Sequence, residues 1–146
     1  MTDDAGREIA LQRPAQRIVS LSPHVTELLF AAGAGASVVG VSGHSNFPAA
    51  AGSIPRIGGG GGLDMEAIIA LQPDLVVAWQ SGNPDRQVQR LQMLGMTVFY
   101  SEPRRLEDVA ETIRKLGKLA ATRAPAFAQA AAYERRLAAL RRRYSQ

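Results

Sequence analysis

Short β-branched apolar runs alternate along this chain with stretches in which apolar residues return every three or four positions. Those are the signatures of strand and helix respectively. Arg17 to Leu21 predicts a first strand, and Ser22-Pro23 then gives a helix start, serine as N-cap and proline in the first turn. The helix is expected to run to about Gly33 and to bury Val25, Leu28, Leu29 and Ala32. Ser37 to Val41 predicts a second strand, with a loop from Ser42 to Arg56 after it. Asp64 is placed to cap a helix over Met65 to Leu71, Pro73-Asp74 makes a turn, and Leu75 to Ala78 is a third strand ending at Trp79. That run is apolar throughout, as a parallel strand covered on both faces requires. Pro84 to Leu94 predicts a helix with Val88, Leu91 and Leu94 inward, Met96 to Tyr100 a fourth strand, and Leu106 to Ala121 a helix burying Val109, Ile113 and Leu116. Upstream, Asp4 to Leu11 is expected to form a hairpin arm.

Strands alternating with helices at this spacing imply βαβ units. The expected fold class is therefore α/β, a Rossmann-like parallel sheet of about four strands flanked by helices. The last segment breaks the alternation. Pro125 to Tyr144 predicts a long helix with no strand after it, and Ala130, Tyr133, Leu137, Leu140 and Tyr144 form a stripe that wants a partner. This divides the chain into an α/β lobe over 1–122 and a departing helix over 123–146.

Composition narrows the chemistry. The 146 residues contain no cysteine, which excludes thiolate metal sites, iron–sulfur clusters and cysteine nucleophiles. The net charge of +4 is terminal: residues 1–122 carry 11 basic and 12 acidic side chains, while 123–146 hold six arginines against Glu134. Arginines in the last turns of a helix complement its dipole, so no nucleic-acid partner is expected. No apolar run is long enough to span a membrane. Met1 to Ala5 has no basic segment followed by an apolar one, so no signal peptide is expected in the sequence as written.

Open α/β sheets bind ligands beyond the carboxyl ends of their strands. The loops at those ends are Ser22-Pro23-His24, Ser42 to Phe47, Trp79 to Asn83 and Ser101 to Arg105, so the one tryptophan and both histidines share a rim. Each has a plainer reading: Trp79 as an ordinary half-exposed aromatic, His24 as a solvent-facing first-turn residue, His44 as one polar loop residue among several. Against these stands a flat indole able to stack on a ligand, set among loop residues on a rigid scaffold. No nucleophile elbow, metalloprotease helix or motif-placed acidic pair is present, and no enzyme activity is expected. His24 and Glu27 lie three apart on one helix, and with His44 they would make three metal ligands. The glycine run Gly58 to Gly62 lacks a following G-K-[ST], and Asp64 and Glu66 put negative charge where a phosphate should sit. It reads as a flexible or close-approaching loop.

The segments Arg17 to Gly33, Val39 to Pro48 and Met65 to Asn83, above all Leu71 to Asn83, resemble the periplasmic substrate-binding proteins of cobalamin ABC importers. The likeness covers nearly the whole chain. It implies two lobes joined by one long helix, a corrinoid held in the cleft between them, a periplasmic address and delivery to an ABC permease in the inner membrane. Only the first lobe and most of that helix would lie within these 146 residues, which accounts for the unpartnered stripe. By position, Trp79 matches the family's corrinoid-contacting tryptophan, and Ser22, Pro23 and His24 match the loop that approaches the ligand. His44, Phe47 and Asn83 complete the expected ligand-binding set. Glu66 matches the exposed glutamate that docks this lobe onto arginines of the permease. The resemblance implies no intrinsic cofactor: cobalamin or a related metal chelate is the cargo. Two departures open an alternative. His44 stands where the cobalamin-binding relatives carry a tyrosine, and another contacting tryptophan falls near Gly60, so haem, a ferric siderophore or a divalent metal held by His24 and His44 is the second reading. A nucleotide-binding domain using Gly58 to Asp64 and self-association through the last helix are two more.

Overall fold

The computed structural model describes residues 1–58 and 62–144. Four strands, β1 (Ile18–Ser20), β2 (Val38–Val41), β3 (Leu75–Trp79) and β4 (Val98–Ser101), form one sheet in the order β2-β1-β3-β4, and every pairing is parallel. Five helices connect and cover them: α1 (Pro23–Ala31), α2 (Met65–Leu71), α3 (Asp85–Met93), α4 (Leu106–Ala120) and α5 (Arg123–Tyr144). Chain direction across the sheet reverses between β1 and β3, which sets the loops after those two strands on either side of a crevice.

The strands are apolar at successive positions because each face meets its own helical layer. Ile18, Leu75, Val77 and Phe99 point into a core with α1, α4 and α5; Val19, Val76, Ala78 and Val98 point into a second with α2 and α3. Ser22 caps α1 with Oγ accepting the Val25 N–H, and Asp64 caps α2 by accepting that of Ala67. Each sheet edge is met over part of its length by irregular segments. Along β4, Asp4 N–H donates to the Tyr100 carbonyl while Asp3 and Asp4 carboxylates accept the N–H groups of Tyr100 and Glu102. Along β2, Val41 exchanges hydrogen bonds with Pro55 and Ile57.

Helices α4 and α5 pack antiparallel. Arg114 pairs with Glu134 and Glu107 with Arg141, so α5 returns along α4 toward the carboxyl ends of the strands. At 22 residues against 15, α5 extends about 10 Å beyond its neighbour. Its inner surface is made of small residues: Ala126 and Ala130 are fully buried, and a side chain on Gly117 would overlap the Ala126 methyl. Farther along, Leu140 and Tyr144 stand exposed, so the apolar stripe outruns the surface that covers it.

Several boundaries depart from expectation. Leu94 is exposed instead of buried, because it sits at the C-cap of α3, past the last inward turn. Val109 is only half-buried. β4 starts two residues later than expected, and α5 begins at Arg123. The N-terminal arm folds back through a turn at Gly6, but only Thr2 and Glu8 pair as a bridge. The 42–56 loop contains a 3-10 turn over Ala49–Ser53 that follows a cis Phe47-Pro48 bond. Among the described residues no helix is long and apolar enough to cross a membrane.

Candidate functional site

Ser22 does two things at the end of β1. Its hydroxyl caps α1 and lies 2.8 Å from His24 Nδ1, which holds the imidazole over the first helical turn. The His24 ring meets the Trp79 indole edge to face, centroids 5.4 Å apart and planes at 82°. Its Nε2 is buried with no hydrogen-bond partner among the described residues. Burial pushes the His24 pKa below the usual histidine value, and Glu102 and Glu27 pull weakly the other way. Pro23 is exposed beside this ring.

Trp79 ends β3 and remains 38% exposed, a flat apolar surface at this end of the sheet. Its backbone N–H donates to Asn83 Oδ1 at 2.6 Å, and Asn83 Nδ2 donates to the Leu21 carbonyl at 2.8 Å. Asn83 thus spends its amide bracing the β3 loop against the end of β1. Gly82 lies directly against the indole, and a Cβ there would overlap the ring. The indole Nε1–H donates to Glu102 Oε2 at 3.1 Å.

The loop after β2 is tied down by hydroxyls that sequence reasoning did not single out. Thr26 Oγ1, fully buried, stands 2.7 Å from Ser20 Oγ, 3.0 Å from Ser45 Oγ and 3.2 Å from the Ser22 carbonyl. Ser45 Oγ lies 2.8 Å from Ser42 Oγ. Arg56 completes the tether by donating to the Ser42 and Ser45 carbonyls and to Asn46 Oδ1. On this fixed base His44 and Phe47 project outward, both exposed. No motif flags a hydroxyl chain spread over residues 20 to 45; its only prior signal is the number of serines at strand ends.

Five of the expected site residues fall into two adjoining concavities, whereas Ser22, Trp79 and Glu66 line neither. An open groove of about 430 Å³ is lined by Pro23, His44, Gly62, Gly82 and Asn83. A more apolar hollow of about 490 Å³ between α1, α4 and α5 is lined by His24, Phe47, Pro103, Ile113 and Tyr133, with Glu27 and Arg136 also in its wall. Pro23 and His24, adjacent in the chain, stand on the ridge between them. Trp79 and His24 are brought into contact, whereas the two histidines line different concavities. Among the described residues no three His, Asp or Glu side chains cluster closely enough to hold a metal ion. The Asp64 carboxylate occupies the N-terminus of α2 where a phosphate would have to bind, and Glu66 is exposed in the same turn. The position near Gly60 expected to replace a contacting tryptophan lies outside the described residues.

A family model described as periplasmic binding protein matches residues 18–146. The vitamin B12-binding protein of Vibrio parahaemolyticus serotype O3:K6 is 37% identical over 132 residues, 90% of this chain and 48% of its own length. Its counterpart in Vibrio cholerae serotype O1 is 39% identical over 134 residues, again 90% and 48%. Among solved structures, the periplasmic vitamin B12 binding protein BtuF of Vibrio cholerae superposes with a TM-score of 0.88 at 37% identity, covering 91% of this chain and 52% of that one. A periplasmic heme binding protein from Pseudomonas aeruginosa gives 0.76 at 29% identity, covering 84% and 44%. The chain spans about half the length of the relatives it matches.

Proposed function

Because the chain belongs to the periplasmic binding protein family, we propose that it supplies one wall of a periplasmic cleft that captures cobalamin or a related corrinoid for an ABC importer. The observation that carries this reading is the Trp79 indole, braced at the strand ends and still exposed, with His24 against it. A braced, half-exposed indole suits the face of a large conjugated ring better than it suits chemistry, and no bond is made or broken in this role. Ser22, Pro23, His24, His44, Phe47, Trp79 and Asn83 form the ligand wall, Asn83 by bracing it. The lobe is 1–122, and 123–146 is the strut toward the other half, whose surface covers Leu140 and Tyr144. Glu66, exposed beyond the wall on α2, is the contact to the permease.

An open groove on one wall leaves most of a corrinoid in water, so this chain alone binds weakly. Titration of the ¹⁵N-labelled chain with cyanocobalamin at millimolar concentration should shift the amide signals of residues 22, 24, 43–47 and 79–83 and few others. Shifts scattered elsewhere, or none, overturn the corrinoid assignment; nanomolar affinity overturns the half-site argument. Haem is the second reading, favoured by the imidazole of His44 in the groove wall, and a Soret shift on adding hemin that is lost in His44→Ala would establish it. Light scattering separates a monomer with an uncovered strut from a dimer joined through α5.

A further inference from the structure

The backbone bond from Trp79 to Asn83 fixes where the tryptophan leaves the sheet, but not how its ring turns about the side-chain bonds. Three contacts do that. His24 meets the ring edge to face, Gly82 lies against its six-membered half, and the Nε1–H donates to Glu102 Oε2 at 3.1 Å. Only the last is directional. Glu102 is itself held from two sides. Ser81 Oγ donates to the same carboxylate oxygen at 3.1 Å, and the Glu102 N–H donates to Asp4 Oδ2 at 2.6 Å. Asp4 is in turn fixed to β4 through the Tyr100 carbonyl.

We propose that Glu102 is a positioning residue of the binding wall: its carboxylate sets the rotation of the Trp79 indole before a ligand arrives, and the N-terminal arm, through Asp4, sets the place of Glu102. The inference rests on the corrinoid reading only for the identity of the ligand. A ring already fixed in orientation loses less freedom on binding than one that must be immobilised, and releasing it should weaken affinity by roughly threefold to tenfold.

The chain contains one tryptophan, so its indole signals report Trp79 alone. The test compares Glu102→Ala and Glu102→Gln with the parent by the Nε1–H cross-peak, its exchange with water, the anisotropy decay of Trp79 and the affinity for cyanocobalamin. In Glu102→Ala the cross-peak should move, exchange should quicken and a fast component should enter the decay. Affinity should fall by roughly threefold to tenfold, while Tm stays within about 2 °C, as for other half-exposed sites. Glu102→Gln keeps a carbonyl acceptor and should behave much like the parent. An unmoved cross-peak and decay in Glu102→Ala overturn the inference. So does an equal loss of affinity in both variants accompanied by a fall in Tm, which is the mark of a merely structural residue. If the indole loosens as expected but cyanocobalamin perturbs neither protein, the positioning role stands and the corrinoid reading falls.

Discussion

Replacing Thr26 with valine would remove one oxygen from a fully buried side chain while keeping its shape. That oxygen is the middle of the hydroxyl chain, within hydrogen-bonding distance of Ser20 Oγ, Ser45 Oγ and the Ser22 carbonyl. Its neighbours are not orphaned, because Ser20 keeps the Ser22 carbonyl and Ser45 keeps Ser42. The loss is therefore two to three hydrogen bonds at about 1 kcal/mol each. The new methyl offsets about 0.8 kcal/mol of this, leaving a destabilisation of about 1–2 kcal/mol. For a chain of 146 residues that lowers Tm by about 3–8 °C. The second consequence is local: the His44 loop loses its tie to α1 while keeping the Arg56 tether, so amide exchange over residues 43–47 should quicken while the strands stay protected. Thr26→Ser keeps the hydroxyl and should leave loop exchange unchanged, at the cost of a lost methyl. Differential scanning calorimetry with hydrogen exchange read by mass spectrometry separates these effects. A Thr26→Val protein as stable as the parent, with the loop no more open, would refute the idea that the hydroxyl chain holds the wall together.

Gly117→Ala pits helix propensity against packing: propensity alone favours alanine by about 1 kcal/mol, but the new methyl would overlap Ala126, and overpacking of this kind costs about 1–3 kcal/mol. A urea midpoint below that of the parent, partly restored by adding Ala126→Gly, is the expected result. The depressed pKa of His24 means that the unfolded chain takes up a proton as pH falls below about 6.5 while the folded ring stays neutral, so stability should decline from there down through the folded pKa and be level above it. A ¹³C-labelled histidine titration should place His24 below the ordinary value, and His24→Gln should flatten the decline. In the complete transport protein, Glu66→Ala should leave corrinoid affinity unchanged and slow uptake; a large loss of affinity would move Glu66 from the permease contact to the ligand wall.

Most of the framework was legible from local chemistry. Ser22-Pro23 and Asp64 mark helix starts because capping is a matter of adjacent residues, and the uninterrupted apolar run 75–78 announces a doubly covered strand for the same reason. The uncovered end of α5 could be read from its apolar stripe, which runs on to Leu140 and Tyr144. Leu94 misled because helical periodicity assigns a face but does not say where the helix ends; Gly95, with a left-handed φ, turns the chain away just after Leu94, which becomes the exposed C-cap of α3. The left-handed C-caps at Gln72 and Ala121 carry no glycine to announce them. At the site, the rim of Trp79 and His24 follows from topology, since all the loops after parallel strands emerge at one end. The parts that hold the rim in place do not. Thr26 with Ser45, Arg56 with Asn46 and Trp79 with Glu102 are partners 10 to 23 residues apart, joined by single hydrogen bonds that no local pattern marks. Asn83 was expected to touch ligand on the strength of its place in the loop, yet its amide is already engaged at both ends.

The coverings along β2 and β4 bear on how this chain behaves in company. An open parallel sheet normally presents two rows of unsatisfied amides to any extended peptide that drifts by. Here the row beside Tyr100 and Glu102 is answered by aspartate carboxylates, and the row beside Val41 by the backbone of its own loop. A newcomer would have to strip away those bonds before gaining its own. At these positions an added strand gains little, so a partner meeting either edge there is recognised by side chains rather than by strand addition.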